Sequence, residues 1–310
     1  MNESYTKNVP AMASTQAETE LRRSARARWG LAVAVLLGSA TASAQLQATA
    51  SVGFAKLEAK FDADGERDDL DPTVTHIPIG ISANYTIWGG VYAGAGLVMR
   101  NKSVASDPEK SSFGLADLEL RAGWKGKFGV VGVGAELGGK IDLGKVPADL
   151  ASDQTTTSDN MHGLRIGANV IAAVAGPVFE VGARVSATLH FARDLAPKKG
   201  DPEVETQSGL LIDPALVLQG SVDLGSLAFL WGLDVGFLYE TADKLAGEEV
   251  KDSEMNMLYV TPSVGVKVGQ HVIRGVFGYL DGDMMAGIPL MGDNRSVPLI
   301  PFTLMYAFTR

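Results

Sequence analysis

The sequence predicts an all-β fold: a transmembrane, antiparallel, up-and-down β-barrel of about twelve strands behind a cleaved N-terminal signal peptide. Three observations carry this. Segments of period-two alternation recur from Leu46 to Thr309. The connections between them alternate long and short. No stretch after Ala44 approaches the roughly 18–20 unbroken apolar residues of a membrane helix, so a crossing would have to be made by strands.

Residues 1–44 read as the signal. Arg22, Arg23, Arg26 and Arg28 precede the apolar run "WGLAVAVLLGSA" at 29–40, and the small residues "ASA" follow before Gln45. That is the order of charge, apolar core and cleavage site in a secretory signal. The stretch before Arg22 is long and polar, and Met12 could serve as the start in place of Met1. Residues 45–310 form the barrel. The whole chain carries 27 Lys and Arg against 36 Asp and Glu, a net charge of -9. An acidic chain lacks the basic footprint of nucleic-acid binding. The absence of Cys excludes a disulfide framework and thiolate metal sites.

The strand segments fall at about 46–61, 74–87, 91–100, 113–124, 130–143, 161–174, 178–192, 209–224, 227–240, 257–268, 271–280 and 297–309. The seventh, "VFEVGARVSATLHFA", shows the pattern best. Phe179, Val181, Ala183, Val185, Ala187, Leu189 and Phe191 share one face, and Glu180, Gly182, Arg184, Ser186, Thr188 and His190 the other. In a membrane barrel the apolar face meets lipid and the polar face lines the lumen. The weakest is "HVIRGVFGYL", whose two faces are both half apolar.

Short connections carry Gly or Pro: 88–90, 125–129, 175–177, 225–226 and 269–270. Long polar ones lie between, such as "NKSVASDPEKSS" and "DGDMMAGIPLMGDNRS". Outer-membrane barrels have short periplasmic turns and longer external loops, which places Asp153 and Lys199 outside and Gly176 inside. Trp124, Phe179, Phe229, Trp231, Tyr306 and Phe308 fall near the short-turn end, with Phe61, Phe191, Phe237 and Tyr239 near the other, as two interfacial girdles. Pro78, Pro214, Pro262 and Pro301 fall inside strand segments, where bulges or bends are expected because Pro cannot donate to a ladder.

Three motifs invite chemistry. "GAELGGK" at 134–140 has phosphate-loop spacing, but Ile141 stands where Ser or Thr should hold Mg²⁺ and the stretch reads as continuous strand. "DADGERDDLD" concentrates Asp62, Asp64, Glu66, Asp68, Asp69 and Asp71; it is not an EF-hand loop, and a solvated acidic loop is preferred to a Ca²⁺ site. Ser186 and His190 share a face but stand about 13 Å apart along a strand at roughly 3.3 Å per residue, too far for a nucleophile and its base. Nothing calls for a cofactor or metal, and the chain reads as a non-enzyme.

The informative positions lie opposite the apolar ones: Asp117, Glu119, Arg121, Glu136, Lys140, Asp142, Arg165, Glu180, Arg184, Asp234 and Lys267. They could fill the lumen as ion pairs or line a narrow polar conduit. The conduit is preferred, because many other inward residues are Gly, Ser or Thr. Across the turn at 125–129, opposite-charge pairing predicts Arg121 against Glu136 and Asp117 against Lys140, with Trp124 against Val133.

At "FGLADLELRAGWKGK" the chain resembles a family of bacterial outer-membrane barrels described as transporters or as phenol-degradation (MetA-pathway) outer-membrane proteins. Gly114, Asp117, Leu118 and Leu120 match its strand motif. The final "FTLMYAFTR" resembles the strand read by the barrel-assembly machinery, though Thr309 and Arg310 follow the last aromatic. The resemblance implies the outer membrane, lipid around the barrel, and passage of small, aromatic or apolar solutes. The expected function is therefore a passive channel. The alternatives are a non-conducting surface anchor or adhesion scaffold acting through its long loops, an outer-membrane hydrolase, and a soluble secreted β protein.

Overall fold

The protein is described here from a computed structural model covering residues 45–61, 66–158, 162–196, 201–281, 284–293, 296–298 and 301–310. The expected signal peptide at 1–44 lies outside these residues, as do Asp62, Asp64 and Lys199.

Among the described residues twelve wall strands follow one another: β1 Gln45–Phe61, β2 Arg67–Trp88, β3 Val91–Val104, β4 Lys110–Phe128, β5 Val131–Asp142, β6 Gly163–Ala173, β7 Glu180–His190, β8 Leu211–Asp223, β9 Leu227–Glu240, β10 Met255–Val268, β11 His271–Val276 and β12 Phe302–Thr309. Each pairs antiparallel with its neighbours, and β12 pairs with both β11 and β1, from Gln47↔Thr309 to Phe54↔Phe302. The sheet is closed. Closure satisfies backbone groups that hydrocarbon could not.

The faces follow the alternation. On β7, Val185 and Leu189 are 46% and 49% exposed, whereas Ser186 and His190 are 8% and 2%. Exposed apolar residues on the outside and buried polar ones within are the inverse of a soluble sandwich and match an outer-membrane barrel. Trp88, Trp124, Phe128, Phe179, Phe229 and Tyr306 lie toward the short-turn end. Phe179 and Trp231 stack there with ring centroids 5.9 Å apart. Phe54, Phe113, Phe191, Phe237 and Tyr239 lie toward the other end; Phe61 lies outside the residues whose side chains are described.

The short turns are tight because Gly supplies left-handed backbone. Gly89 and Gly90 have φ of 56° and 86°, and the pair joins β2 to β3 as a two-residue turn. Between β4 and β5 the turn is Gly129–Val130, with Gly129 at φ 61°. The expected turn at 125–129 is thus too early: β4 runs on to Phe128. The register moves with it. Arg121 opposes Gly138, Glu119 opposes Lys140 and Trp124 opposes Ala135, two residues from the charge-based expectation. A two-residue shift leaves every side chain on its face and changes only which residues oppose one another.

A bulge explains a break in the alternation of β4. Val98 pairs with Asp117 and Met99 with Leu115, leaving Ala116 as the extra residue. Phe113 and Leu115 face out on odd numbers, Leu118 and Leu120 on even ones, and Asp117 is turned inward between them.

Each proline within a wall strand sits where one ladder is interrupted. The β1–β2 ladder passes from Val52↔Ile79 to Ala55↔His76, skipping Pro78. The β8–β9 ladder passes from Ile212↔Tyr239 to Ala215↔Gly236, skipping Pro214. The β10–β11 ladder ends at Ser263↔Val276, beside Pro262, whose carbonyl accepts the Phe277 N–H at 2.8 Å. Pro262 has no N–H to continue the ladder, and there the chain leaves the wall. This shortens the expected strand 271–280. Pro301 precedes β12 rather than lying in it.

Beyond Phe277, Gly278–Asp281 pairs with Met284–Asp293, which takes the place beside β10 from Asn256 to Val260. Ser296–Pro298 pairs with β1. The stretch expected as a polar loop therefore completes the wall. Two other long connections meet as a small four-stranded sheet of Arg193–Leu195, Val204–Gln207, Lys244–Leu245 and Glu248–Glu249. The acidic stretch is strand from Arg67 onward, with Asp68, Asp69 and Asp71 exposed.

Candidate functional site: the barrel lumen

All eleven predicted lumen residues alternate with outward apolar ones on β4, β5, β6, β7, β9 and β10. The fold brings them into separate groups, and it adds residues that alternation alone had not singled out.

The first group spans β3 to β5. Arg100 points inward from β3, 2% exposed, and its Nη2 lies 3.3 Å from Asp117 Oδ2. Lys140 Nζ lies 3.4 Å from the same oxygen. The expected Asp117–Lys140 ion pair thus forms, but diagonally across the corrected register. Arg121 lies 3.8 Å from Glu119, its neighbour on the same face of β4, while Glu136 accepts a hydrogen bond from Tyr92 Oη at 2.5 Å.

The segment between β5 and β6 folds over this group. Arg100 Nη1 donates to the Thr157 carbonyl at 2.5 Å, and the Thr155 N–H donates to Ser112 Oγ at 3.1 Å. Thr157 is fully buried and sits against the inward side of Gly114. Asp142, expected to line the lumen, is instead spent on this segment. It accepts from Ser158 Oγ and from the Gly144 N–H at 2.8 Å, and pairs with Arg193 at 2.8 Å.

The second group links β7, β8, β9 and β10. Arg184 pairs with Asp213 at 2.7 Å and Asp234 at 3.3 Å, and donates to Tyr259 Oη at 2.7 Å. Tyr259 in turn donates to Asp213 at 2.6 Å. Charge-assisted bonds are roughly twice as strong as neutral ones, so four neighbouring strands are tied from within. Above them Leu211, Leu238, Met257 and Tyr259 form a buried apolar cluster. Elsewhere Glu180 accepts from Gln219 Nε2 at 2.8 Å, and Lys267 is exposed near the short-turn end.

Arg100, Asp213 and Tyr259 were missed for one reason. Their inward neighbours Val98, Leu211, Val217 and Met257 are apolar, so both faces of those strands look alike in sequence. Tyr92 and Lys125 were missed at segment edges, yet Lys125 Nζ lies 4.9 Å from the centroid of the Tyr92 ring.

Between the two groups the wall is thin. Gly134, Gly138, Gly163 and Gly167 face inward on β5 and β6. A Cβ on Gly134 would lie 2.8 Å from Asn169 Oδ1. The space left is a cavity of about 180 Å³ bordered by Tyr92, Lys125, Glu136, Arg165, Asn169 and Arg184. The phosphate-loop spacing at 134–140 lies wholly within strand β5, without the loop and helix a nucleotide needs. His190 is buried and its Nδ1 lies 2.6 Å from the Gly209 carbonyl, a structural contact. Among the described residues no group of His, Asp and Glu could hold a metal ion.

No protein-family model and no curated protein sequence matches the chain. Among solved structures, an outer-membrane channel from Pseudomonas putida F1 superposes with a TM-score of 0.69 at 13% identity, covering 87% of this chain and 97% of the other. The β domain of the Bordetella autotransporter BrkA gives a TM-score of 0.47 at 12% identity, covering 85% and 98%. The translocator domain of the autotransporter NalP from Neisseria meningitidis also gives 0.47, at 10% identity, covering 94% and 97%. By fold, the chain is a β-barrel of the bacterial outer membrane.

Proposed function

We propose that this barrel is an outer-membrane channel that passes small solutes passively through a narrow polar lumen. The carrying observation is the glycine-lined cavity between the two charged groups. Twelve strands lie between the eight whose interior side chains can fill and the sixteen to eighteen of open porins. Here Gly134, Gly138, Gly163 and Gly167 take inward positions of β5 and β6, and charges such as Lys140 and Arg184 are held against the wall by partners on neighbouring strands. The Pseudomonas putida neighbour, described as an outer-membrane channel, supports the same reading. Assembly would proceed through machinery that reads the last strand, Phe302–Thr309. The test is single-channel recording of the purified chain in planar bilayers. Discrete, ohmic KCl steps well below those of a wide porin are expected. A silent, correctly folded barrel would favour the rival, a surface scaffold, whose structural support is the small sheet built from two long connections.

A further inference from the structure

We infer that the segment 144–158 is a lid over the lumen whose release is governed from the small four-stranded sheet, through the contact of Arg193 with Asp142. The consequence for solute passage rests on the channel reading; the coupling itself does not.

The lid is a unit. Its two ends are zipped together: the Lys145 N–H donates to Thr157 Oγ1 at 2.9 Å, the Ser158 N–H to the Lys145 carbonyl at 3.2 Å, and Thr156 Oγ1 to the same carbonyl at 2.7 Å. A loop with its ends so close is compact in its own right, and it docks or lifts as one body. Its docked position is set by the wall. Arg100 holds the Thr157 carbonyl, the Thr155 N–H reaches Ser112 Oγ, and the Ser111 N–H donates to the Asp153 carbonyl at 3.1 Å. Thr155, Thr157 and Ser158 are buried there. Docked and lifted are two discrete arrangements, which is what coupling between distant sites requires.

One carboxylate clasps the lid at both ends. Asp142, the last residue of β5, accepts from the Gly144 N–H at 2.8 Å and from Ser158 Oγ. It also pairs with Arg193 at 2.8 Å, and its side chain is fully buried. Arg193 is not part of the lid. It opens the first strand of the small sheet, where Arg193 opposes Thr206, Thr206 opposes Leu245, and Leu245 opposes Glu248. Thr206 Oγ1 also donates to the Arg193 carbonyl at 3.2 Å. Contacts thus run without a break from the 244–249 hairpin through Arg193 and the Asp142 clasp to the lid. The sheet has its own footing on the wall, because Gln207 Nε2 donates to the His190 carbonyl at 2.7 Å. Loss of the Arg193 side chain therefore leaves the sheet standing and takes a charged donor from the clasp. A molecule that binds the sheet in only one of its arrangements would shift the lid by the same link.

The chain has no Cys, so a single Thr155→Cys substitution reports the lid. Thr155 is 8% exposed and meets Ser112 through its backbone. A maleimide reaches position 155 when the lid lifts. In the full chain purified in detergent, Arg193→Met should raise the labelling rate by roughly tenfold, the loss of one charged hydrogen bond. Thr206→Pro removes a backbone N–H from the middle of the sheet and should raise it several-fold. Gly247→Val strains a turn residue at φ 80° and should act in the same direction without touching the wall. Added to Arg193→Met, neither should raise the rate further, because the link through which they act is gone. Lys251→Gln, in an exposed connection, should leave it unchanged. Heat-modifiable migration in detergent gels verifies that each variant is folded. In planar bilayers, Arg193→Met should lengthen the open steps. Sheet variants that label at the parental rate, or whose effects multiply with that of Arg193→Met, overturn the coupling and leave the channel reading intact. The expected labelling pattern in a barrel that passes no current keeps the coupling and loses the channel.

Discussion

Arg100→Met probes whether the segment 153–158 is held over the lumen by a single side chain. Arg100 Nη1 donates to the Thr157 carbonyl at 2.5 Å and Nη2 to Asp117 at 3.3 Å. The side chain is 2% exposed and Asp117 fully buried, so both contacts lie away from bulk water. Removing one member of a buried ion pair costs about 3–5 kcal/mol when the other charge is left alone. Here Lys140 stays 3.4 Å from the same carboxylate oxygen, so Asp117 keeps a cation. The loss should be nearer that of one charged hydrogen bond, about 1.5–3 kcal/mol, concentrated in the segment rather than in the barrel. Methionine retains much of the stem's bulk and leaves little void. At ~1.4 kcal/mol per tenfold, local opening should rise roughly 10- to 150-fold. Limited proteolysis should cut within 153–158 faster by that order, and single-channel current should become noisier and larger, while heat-modifiable migration stays intact. Asp117→Asn keeps the Thr157 contact and should change cleavage far less. Unchanged cleavage and unchanged current noise in Arg100→Met would refute the reasoning.

Other outcomes follow from the same wall. Leu233→Arg and Val185→Arg place a charge on the outward face and should cost roughly 2–4 kcal/mol each near mid-membrane; the folded fraction after dilution from urea into lipid vesicles measures this, and full refolding of both would mean the faces are reversed. Ser186→Arg points into the cavity instead, so it should refold normally and lower KCl conductance; a conductance equal to wild type would place Ser186 away from the solute path. Tyr259→Phe removes a hydroxyl that bridges Arg184 and Asp213 but leaves those two paired at 2.7 Å, so thermal unfolding in detergent should reveal a loss of about 1–3 kcal/mol without a change of fold. Single cysteines at Lys251 and Asp153 should react with an impermeant maleimide on intact cells, and one at Gly176 only after the outer membrane is opened; the reverse pattern would invert the topology.

The chain alone determined which face points outward on the strands that alternate clearly, such as β7, because side-chain period is two and a one-residue error would expose charge to hydrocarbon. Val185 and Ser186 could be assigned to opposite faces without any coordinates. Strand number and the alternation of long and short connections were legible for the same reason. Register was not. Opposite charges on β4 and β5 favoured Arg121 against Glu136, but long side chains reach diagonally, and Asp117 still finds Lys140 two residues out of line. The turn decided, through the left-handed backbone that Gly129 alone supplies there. The candidate site divides in the same way. Arg184 and Asp234 stand out against apolar neighbours in one strand. Asp213 and Tyr259, which complete their network, sit on inward faces that are themselves apolar, so only the closed sheet reveals that they face the lumen. The removal of Asp142 from the lumen by the segment ending at Ser158, and the completion of the wall by Met284–Asp293 beyond Pro262, were likewise decided by tertiary structure. Both depend on contacts between residues distant in sequence, and those contacts exist only once the sheet has closed.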